Sequence, residues 1–255
     1  MRISEFACLD LERERRTGVP EVVLAEGKLL THLVRIAKAM LEAKGRVMVT
    51  RASPQALRAL SRLPGLHEVH EDAGIIVIRK RGFRGPRLGG TVAVLSAGTS
   101  DYRVAEEARV IAEQLGCRTV ALHDVGVAGV HRLLDALARL GRQKVDVYIA
   151  VAGREGALPT LLAGMVDVPV IGVPVSTGYG MAGKGKSALY AMLQSCSPLT
   201  VVNIDAGFVA GAVAARIAHG AGNGRLAGPR QRGSGPRPAK GKGADQRAAF
   251  RGTVR

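Results

Sequence analysis

The residues from Gly172 to Phe208 combine the side chains best suited to chemistry: a thiol, two lysines and a carboxylate beside a glycine-rich segment. The pattern predicts a basic loop from Val175 to Lys186, a short helix that ends at Cys196, and a strand that runs into Asn203 and Asp205. A thiol beside a loop able to hold phosphate suits covalent chemistry on a nucleotide. A buried structural cysteine gives the same pattern, so both interpretations of Cys196 stay open.

Five apolar segments from residue 91 onwards predict the scaffold that must position these groups. They read TVAVLSA, RTVALHDV, VDVYIAVA, VPVIGVPV and LTVVNID, and helical segments separate them. Runs that are apolar throughout indicate strands covered on both faces, which predicts an α/β fold with a doubly wound parallel sheet. In such a sheet the ligand lies outside the carboxyl ends of the strands, where the strand order reverses.

The loops that follow these strands are therefore the predicted ligand site. The first of them closes a strand and opens a helix, where backbone amides and hydroxyls can accept a phosphate or merely cap the helix. The residues predicted to bind substrate are Gly98, Thr99, Ser100, Asp101, Asp124, His131, Gly153, Gly178, Tyr179, Gly180, Asn203 and Asp205. The GKS sequence in the Val175–Lys186 loop is not interpreted as a nucleoside triphosphatase P-loop, because it lies late in the sheet.

Composition limits the class of protein. The chain has 255 residues, of which 47% are hydrophobic, enough for a full domain with a smaller one. No segment approaches the roughly 18 to 20 consecutive apolar residues that cross a bilayer, and the start has no apolar signal core, so we expect a cytoplasmic protein without membrane contact. Three widely spaced cysteines form no CxxC pair, so we expect free thiols and no zinc site.

The pattern divides the chain into three regions. Residues 1–88 are predicted to form a small α+β domain, with a helix from about Lys28 to Ala43 and a strand from Arg46 to Thr50. The linker RKRGFRGPRLGG separates it from an α/β catalytic domain at 89–219. Residues 220–255 carry nine Lys or Arg against one Asp, so they hold +8 of the net charge of +16. Their Gly- and Pro-rich composition predicts a disordered basic tail.

Five segments in order carry a family resemblance. GTSDYRVAEEA, DVGVAGVHR, AGREGALP, VPVIGVPVSTGYG and SCSPLTVVNIDAGF together closely resemble the LarB family, the pyridinium-3,5-biscarboxylic acid mononucleotide synthases of nickel-pincer cofactor biosynthesis. The similarity covers most of residues 91–217 and extends to LDLERERRTGVPEVVLAEGK near the start. The same flavodoxin-like domain is related to the aminoimidazole ribonucleotide carboxylases and mutases of purine synthesis.

The resemblance implies a reaction. Nicotinic acid adenine dinucleotide is carboxylated on its pyridinium ring by CO2 or bicarbonate, and its phosphoanhydride is hydrolysed to release AMP. The pyridinium is electrophilic, so a thiolate must first add to the ring and make an enamine carbon nucleophilic. The residue that matches the family's nucleophile is Cys196. A pyridinium cation would stabilise that thiolate, whereas a helix C-terminus would oppose it.

Glu155 matches a functional carboxylate of the family. It is expected to take the ring proton, or to orient water or a divalent metal such as Mg²⁺ at the phosphoanhydride. Stabilising a helix N-terminus is the alternative. Asp101 and Asp205 are left open between metal, ribose and helix capping, no metal ligand is assigned, and no tightly bound cofactor is expected.

The resemblance also implies a homo-oligomer and suggests further contacts. Arg13, Arg16, Glu21 and Lys28 match charged positions of the family and are candidates for holding the adenylate half, with solvated charge as the default interpretation. His131 is a candidate for contact with ligand or a neighbouring subunit, or is a plain surface histidine.

Two other functions compete. A purine-type carboxylase or mutase would need a Ser-Ala-His-Arg segment where this chain has DVGVAGVHR, which argues against it. An RNA-binding protein would rely on the basic tail, whose charge gives only weak, salt-sensitive contact, so no specific nucleic acid is expected.

Overall fold

A computed structural model describes residues 1–3, 7–86, 89–141, 143–178, 180 and 183–226. The strands are β1 (Arg2–Ile3), β2 (Ala7–Cys8), β3 (Val23–Leu24), β4 (Arg46–Thr50), β5 (Leu66–His70), β6 (Ile75–Arg79), β7 (Thr91–Ser96), β8 (Arg118–Leu122), β9 (Val147–Ala152), β10 (Val170–Pro174) and β11 (Thr200–Val201). The helices are α1 (Arg13–Thr17), α2 (Leu30–Lys44), α3 (Pro54–Leu60), α4 (Tyr102–Gln114), α5 (Val130–Leu140), α6 (Ala157–Ala163), α7 (Lys186–Leu193) and α8 (Gly207–Leu226).

The larger sheet within these ranges is parallel and has the strand order β8-β7-β9-β10-β11. This is the flavodoxin-like order, in which the chain reverses its direction of travel across the sheet between β7 and β9. Helices cover both faces, as the uninterrupted apolar strands predicted. The predicted doubly wound α/β fold is confirmed, and the switch point fixes where a ligand should bind.

The smaller sheet has the order β3-β4-β6-β5, with β3 parallel to β4 and the other pairs antiparallel. Successive side chains of its two central strands, β4 and β6, belong alternately to two hydrophobic cores. Val47 and Val49 face α2 and α3, whereas Met48 faces the opposite side together with Ile75 and Val77. Because successive side chains of a strand point to opposite faces, the sheet is apolar on both sides and must be covered on both.

Helix α4 covers the second face of the smaller sheet and also packs on the larger one. Met48 and Ile75 belong to the same buried cluster as Val104 and Ala108 of α4 and Val94 of β7. The two sheets therefore share one hydrophobic core, with α4 between them and α8 beside α4. The N-terminal region folds against the catalytic domain rather than apart from it.

Polar groups seal the rim of this shared core. The buried Arg46 guanidinium donates to the backbone oxygen of Gln114 at 2.7 Å, where α4 ends. His70 of β5 lies 3.0 Å from a carboxylate oxygen of Glu106 and 3.1 Å from one of Glu68. Burial raises the pKa of Glu106, but hydrogen bonds and charge from Arg109 outweigh it and hold that pKa below its usual range. Ion pairs and hydrogen bonds thus satisfy these polar groups at the junction.

The C-terminal boundary of the catalytic domain needs correction. Residues 220–226 belong to α8 and not to the predicted tail, while residues 227–255 lie outside the described residues. Helix formation is cooperative, and the first proline after the start of α8 comes only at Pro229. No helix within the described residues is long and apolar enough to span a bilayer.

Close contact between α4 and α8 depends on glycine. A Cβ on Gly207 would lie 2.5 Å from the backbone oxygen of Val104. A Cβ on Gly211 would overlap the backbone oxygen of Ala108. Both glycines therefore let the α8 backbone lie directly on α4.

We predict that Gly211→Ala lowers the free energy of unfolding by about 1–3 kcal/mol, because the added methyl forces α8 away from α4. Chemical denaturation measures this. The matched control is Gly220→Ala in the same helix, where a Cβ would have nothing within 4 Å. The control should leave stability unchanged or raise it by up to about 1 kcal/mol. Equal effects of the two substitutions would contradict the packing account.

Candidate active site

A cleft of about 250 Å³ opens at the carboxyl ends of β7 and β9, at the switch point of the larger sheet. We call it the first lobe. Its walls are the loops that follow four parallel strands, because parallel strands end at the same edge. The lining includes Gly98, Ser100, Asp101, Gly126, Arg132, Gly153, Arg154, Glu155, Thr177 and Gly178. The structure thus brings together six of the residues predicted from sequence.

Asp101 ties two of these loops together. Its Oδ2 accepts the amide proton of Gly98 at 2.8 Å, and its Oδ1 accepts that of Gly153 at 3.1 Å. Burial raises the pKa of this carboxyl and the charge of Glu155 adds to the effect, while the two amide hydrogen bonds oppose it. Asp101 therefore sets the spacing between the β7 and β9 loops.

Strained backbone is concentrated around the cleft. Arg51, Asp124, Arg154 and Asp205 all have φ between 47° and 58°, a left-handed conformation that non-glycine residues rarely adopt. Each follows a strand, at the end where ligands bind in α/β proteins. Such conformations cost about 1–3 kcal/mol each and persist where surrounding contacts enforce them, commonly at functional sites.

After β8, the first turn of α5 places Arg132 in the first lobe rather than the predicted His131. Asp124 pairs with Arg132 at 2.6 Å, and Arg132 lines the first lobe. His131 is exposed and is not a lining residue. The sequence carried this signal, since an arginine at the start of a helix facing the switch point is a stronger anion ligand than its histidine neighbour.

A second lobe of about 290 Å³ adjoins the first and shares Ser100 and Thr177 with it. It lies where the two sheets meet, with Glu26 and Arg51 from the N-terminal domain on one wall and Arg103, Glu107 and Asp205 on the other. Burial raises the pKa of Glu107, against the opposing charge of Arg51.

The front-region charges proposed for the adenylate half do not line either lobe. Arg16 pairs with Asp10 at 2.6 Å, and Glu21 accepts the amide proton of Asp10 at 2.6 Å, so both organise the N-terminal segment. Arg13 and Lys28 are likewise absent from the two linings. That adenylate assignment is not supported; Arg51 and Arg103 are the basic residues of the second lobe.

Three of the described residues that were predicted to bind substrate, Thr99, Gly180 and Asn203, line neither lobe. Thr99 is exposed on the turn between β7 and α4, and Gly180 is exposed with φ 98°. Asn203 uses its side-chain oxygen to accept the amide proton of Ile204 at 2.8 Å, which caps the turn before α8. Tyr179 lies outside the described residues.

Glu155 is an exposed residue in the first lobe, close enough to Asp101 for its charge to raise the pKa of that carboxyl. Both oxygens of Asp101 already accept amide protons, so the pair does not form a ready cation cage. Within the described ranges, no group of three or more His, Cys, Asp or Glu could hold a metal.

Cys196 lies away from both lobes. Helix α7 runs from the cleft back to the edge of the sheet where the parallel strands begin, which we call the amino edge. Cys196 follows α7 and lies four residues before the start of β11. The adjacent Ser197 hydroxyl is 3.5 Å from the position of a Cβ on Gly164, which follows α6 at that same edge. At about 3.3 Å per strand residue, roughly 15 Å separate the two edges of β10.

The predicted helix end at Cys196 is wrong, because α7 stops at Leu193. The Ser195 hydroxyl accepts the amide proton of Ser197 at 3.2 Å, and Pro198 disfavours a helical conformation in the residue before it. Cys196 is exposed, so the buried structural cysteine is also wrong. Cys117 is the buried thiol, and burial raises its pKa to about 11.

Fold and cleft together define a doubly wound α/β protein with a two-lobed cleft that begins at its switch point. Residues 91–226 match the model of the AIR carboxylase family, and residues 2–81 match that of the LarB/PurE-like N-terminal domain. The chain belongs to the AIR carboxylase family and carries the LarB-type N-terminal domain, which confirms the resemblance found in the sequence. The family supports a carboxylase-type enzyme that uses a nucleotide and CO2.

Individual proteins are also similar to this chain. An uncharacterized protein of Methanocaldococcus jannaschii is 41% identical over 222 residues, 85% of each chain. An N5-carboxyaminoimidazole ribonucleotide mutase of the same organism is 31% identical over 129 residues, 49% of this chain and 77% of its own. Among solved structures, a variant flavodoxin from Pseudomonas aeruginosa matches 54% of this chain and 99% of its own at 16% identity, with a TM-score of 0.27.

We predict that Asp101→Ala lowers the free energy of unfolding by about 1–3 kcal/mol, because the amides of Gly98 and Gly153 lose their acceptor. Hydrogen exchange should show faster exchange at these two amides specifically. Asp135→Ala, at an exposed position of α5, is the control and should change neither measurement. If the amides of Gly98 and Gly153 exchanged as slowly in Asp101→Ala as in the wild-type protein, Asp101 would not be the residue that holds the two loops together.

Proposed function

We propose that this protein carboxylates the pyridinium ring of nicotinic acid adenine dinucleotide and hydrolyses its phosphoanhydride, giving pyridinium-3,5-biscarboxylic acid mononucleotide and AMP. The observation that carries the proposal is the LarB-type N-terminal domain closing the edge of a carboxylase-family cleft. The first lobe would take the nicotinate mononucleotide half. Its polar loops and Arg132 suit a ribose phosphate.

The chemistry requires a nucleophile before CO2 can react. A Cys196 thiolate adds to the pyridinium ring, and the resulting dihydropyridine is neutral with a nucleophilic enamine carbon. That carbon forms a bond with CO2. Loss of the ring proton from the same carbon to Glu155, followed by cleavage of the carbon–sulfur bond, restores the aromatic pyridinium and releases the thiolate. Attack of water on the phosphoanhydride then releases AMP.

This mechanism needs Cys196 from a second copy of the chain. Within one chain the thiol lies at the amino edge of the sheet and Glu155 at the carboxyl edge. Exposed apolar side chains lie on the segments that lead to that edge: Met165 follows α6, and Tyr190 and Leu193 are in the last turn of α7. Such a group of apolar residues is typical of a subunit interface, and an oligomer could set this edge against a neighbour's cleft.

We predict that Cys196→Ser and Glu155→Gln are each inactive alone but regain activity when co-expressed in mixed oligomers. With random assembly, roughly a quarter of the sites would draw both wild-type residues from different chains. Two affinity tags isolate the mixed oligomers, and mass spectrometry of the products measures turnover.

The control is an oligomer made only of Cys196→Ser chains, some with one affinity tag and some with the other. This oligomer should stay inactive. Mixed oligomers that form but make no product would contradict a site built from two chains.

Thiol labelling tests the position of Cys196 without turnover. We predict that iodoacetamide at pH 8 modifies exposed Cys8 and Cys196 and spares Cys117, whose pKa near 11 leaves little thiolate. Nicotinic acid adenine dinucleotide should slow labelling of Cys196 and leave Cys8, the internal control, unchanged. Peptide mass spectrometry reads each site. Equal labelling of Cys196 with and without the dinucleotide would speak against its presence at the ligand.

One second candidate has a specific observation in its favour. The relatives named as mutases of carboxyaminoimidazole ribonucleotide match 49% of this chain at 31% and 32% identity. A mononucleotide of that kind would fill only the first lobe. It would make no contact with Glu26 and Arg51, which the N-terminal domain contributes to the second lobe. Carboxylated imidazole ribonucleotide as the product would favour this candidate.

A further inference from the structure

We propose that β5 and α3 form a docking groove for an acidic, extended segment of a partner protein, which adds to the smaller sheet as a strand beside β5. The groove belongs to the N-terminal domain and shares no lining residue with either lobe of the cleft. It therefore does not depend on the proposed function.

The outer edge of β5 is free to pair with another chain. The smaller sheet has the order β3-β4-β6-β5, so β5 pairs with β6 on one side, and no strand within the described ranges pairs with its other side. An edge strand of this kind presents unpaired backbone N–H and C=O groups. Leu66 and Val69 of β5 are 54% and 39% exposed, so their side chains leave the edge open to solvent.

Apolar residues form the floor of the groove beside this edge. Val69 lies opposite Ile76 in the register of β5 and β6, and Ile76 belongs to the core beneath α2 and α3. Directly opposed residues of paired strands share a face, so Val69 faces α3. Val69, Leu57 and Pro54 line a groove of about 410 Å³. Apolar side chains of an added strand would cover Val69 on this face.

Two guanidinium groups give the groove its charge. Arg58 of α3 and Arg62, which follows that helix, are exposed and line the groove. Among the described residues, neither pairs with a carboxylate. Glu71 supplies the one carboxylate of the lining. From residue 28 to residue 66 the chain has eight Lys or Arg and one acidic residue, Glu42, so the surroundings are basic as well.

The lining favours an acidic segment over two other occupants. Residues 227–255 of this chain carry eight Lys or Arg against one Asp, so the groove would repel them. Single-stranded nucleic acid binds basic grooves by stacking its bases on aromatic side chains, and no aromatic residue lines this groove. Acidic and apolar side chains that alternate on one face of an added strand match both the guanidinium groups and the floor.

A fluorescein-labelled peptide of about nine residues, a usual length for a strand, is the probe. Glu and Val alternate at its odd positions, so they share one face of the extended peptide, and Thr fills the even positions. Fluorescence anisotropy with the full-length protein measures its affinity. We expect a peptide with Lys in place of Glu to bind about tenfold more weakly or worse. Methylation of alternate backbone nitrogens should weaken binding in the same direction, because it removes donors for the strand edge.

Variants of the protein locate the binding. Arg58→Glu combined with Arg62→Glu should weaken binding of the acidic peptide about tenfold or more, because repulsion replaces two charged contacts. The matched control is Arg139→Glu combined with Lys144→Glu, at exposed positions of the catalytic domain. It makes the same change in net charge and should leave the affinity within about twofold. Hydrogen exchange should slow in β5 when the peptide binds and stay unchanged in β3, at the opposite edge of the sheet.

Equal affinity for the acidic and the basic peptide would overturn the proposal, and so would binding that slows no exchange in β5. A single-stranded oligonucleotide that displaces the peptide and loses affinity in the Arg58 and Arg62 variant would overturn it in favour of nucleic acid. A changed oligomeric mass of that variant, measured by light scattering without peptide, would overturn it in favour of a second copy of the chain.

Discussion

Helix α4 is the element on which both the core and the site depend. Its apolar residues belong to one cluster with inward-facing side chains of both sheets, and it packs closely on α8 through Gly207 and Gly211. Its amino end carries Asp101 and Arg103, which line the first and second lobes respectively. Because a helix is rigid over this length, its packing on the two sheets fixes the relative position of the lobes.

A buried carboxylate and a set of strained residues refine that position. Asp101 accepts amide protons from the loops after β7 and β9, and so holds the two sides of the switch point together. Arg51 and Asp205 do the same between the domains. The cost of left-handed backbone at these positions is offset by the shared core, whose burial of apolar surface is the main stabilising contribution.

Much of this was predictable from the sequence, and for physical reasons. Uninterrupted apolar runs indicate strands covered on both faces, and chain order then places Asp101, Gly153 and Glu155 at one edge of a parallel sheet. The apolar faces of β4 and β6 carried the same signal for the smaller sheet. The hydrophobic pattern did not show which element covers the second face of the smaller sheet. That element is α4, some 50 residues further along the chain from β4.

The errors have local or long-range causes. The end of α7 was placed too late because a serine side-chain turn and Pro198 override the helical period. The tail was begun too early because its composition hid the last turns of α8. The role of Arg51 depends on contact with a residue 154 positions away, which no periodicity reports. The sequence pattern likewise did not show that Glu155 lies at the carboxyl ends of the strands of the larger sheet and Cys196 at their amino ends.

The central claim is that a dinucleotide is carboxylated in this cleft. The most direct measurement is incubation of the wild-type protein with nicotinic acid adenine dinucleotide and ¹³C-labelled bicarbonate, with the products analysed by mass spectrometry. The account predicts AMP together with a pyridinium mononucleotide that carries one labelled carboxylate on its ring. Unlabelled dinucleotide recovered intact, or release of AMP with no label in the pyridinium product, would contradict it.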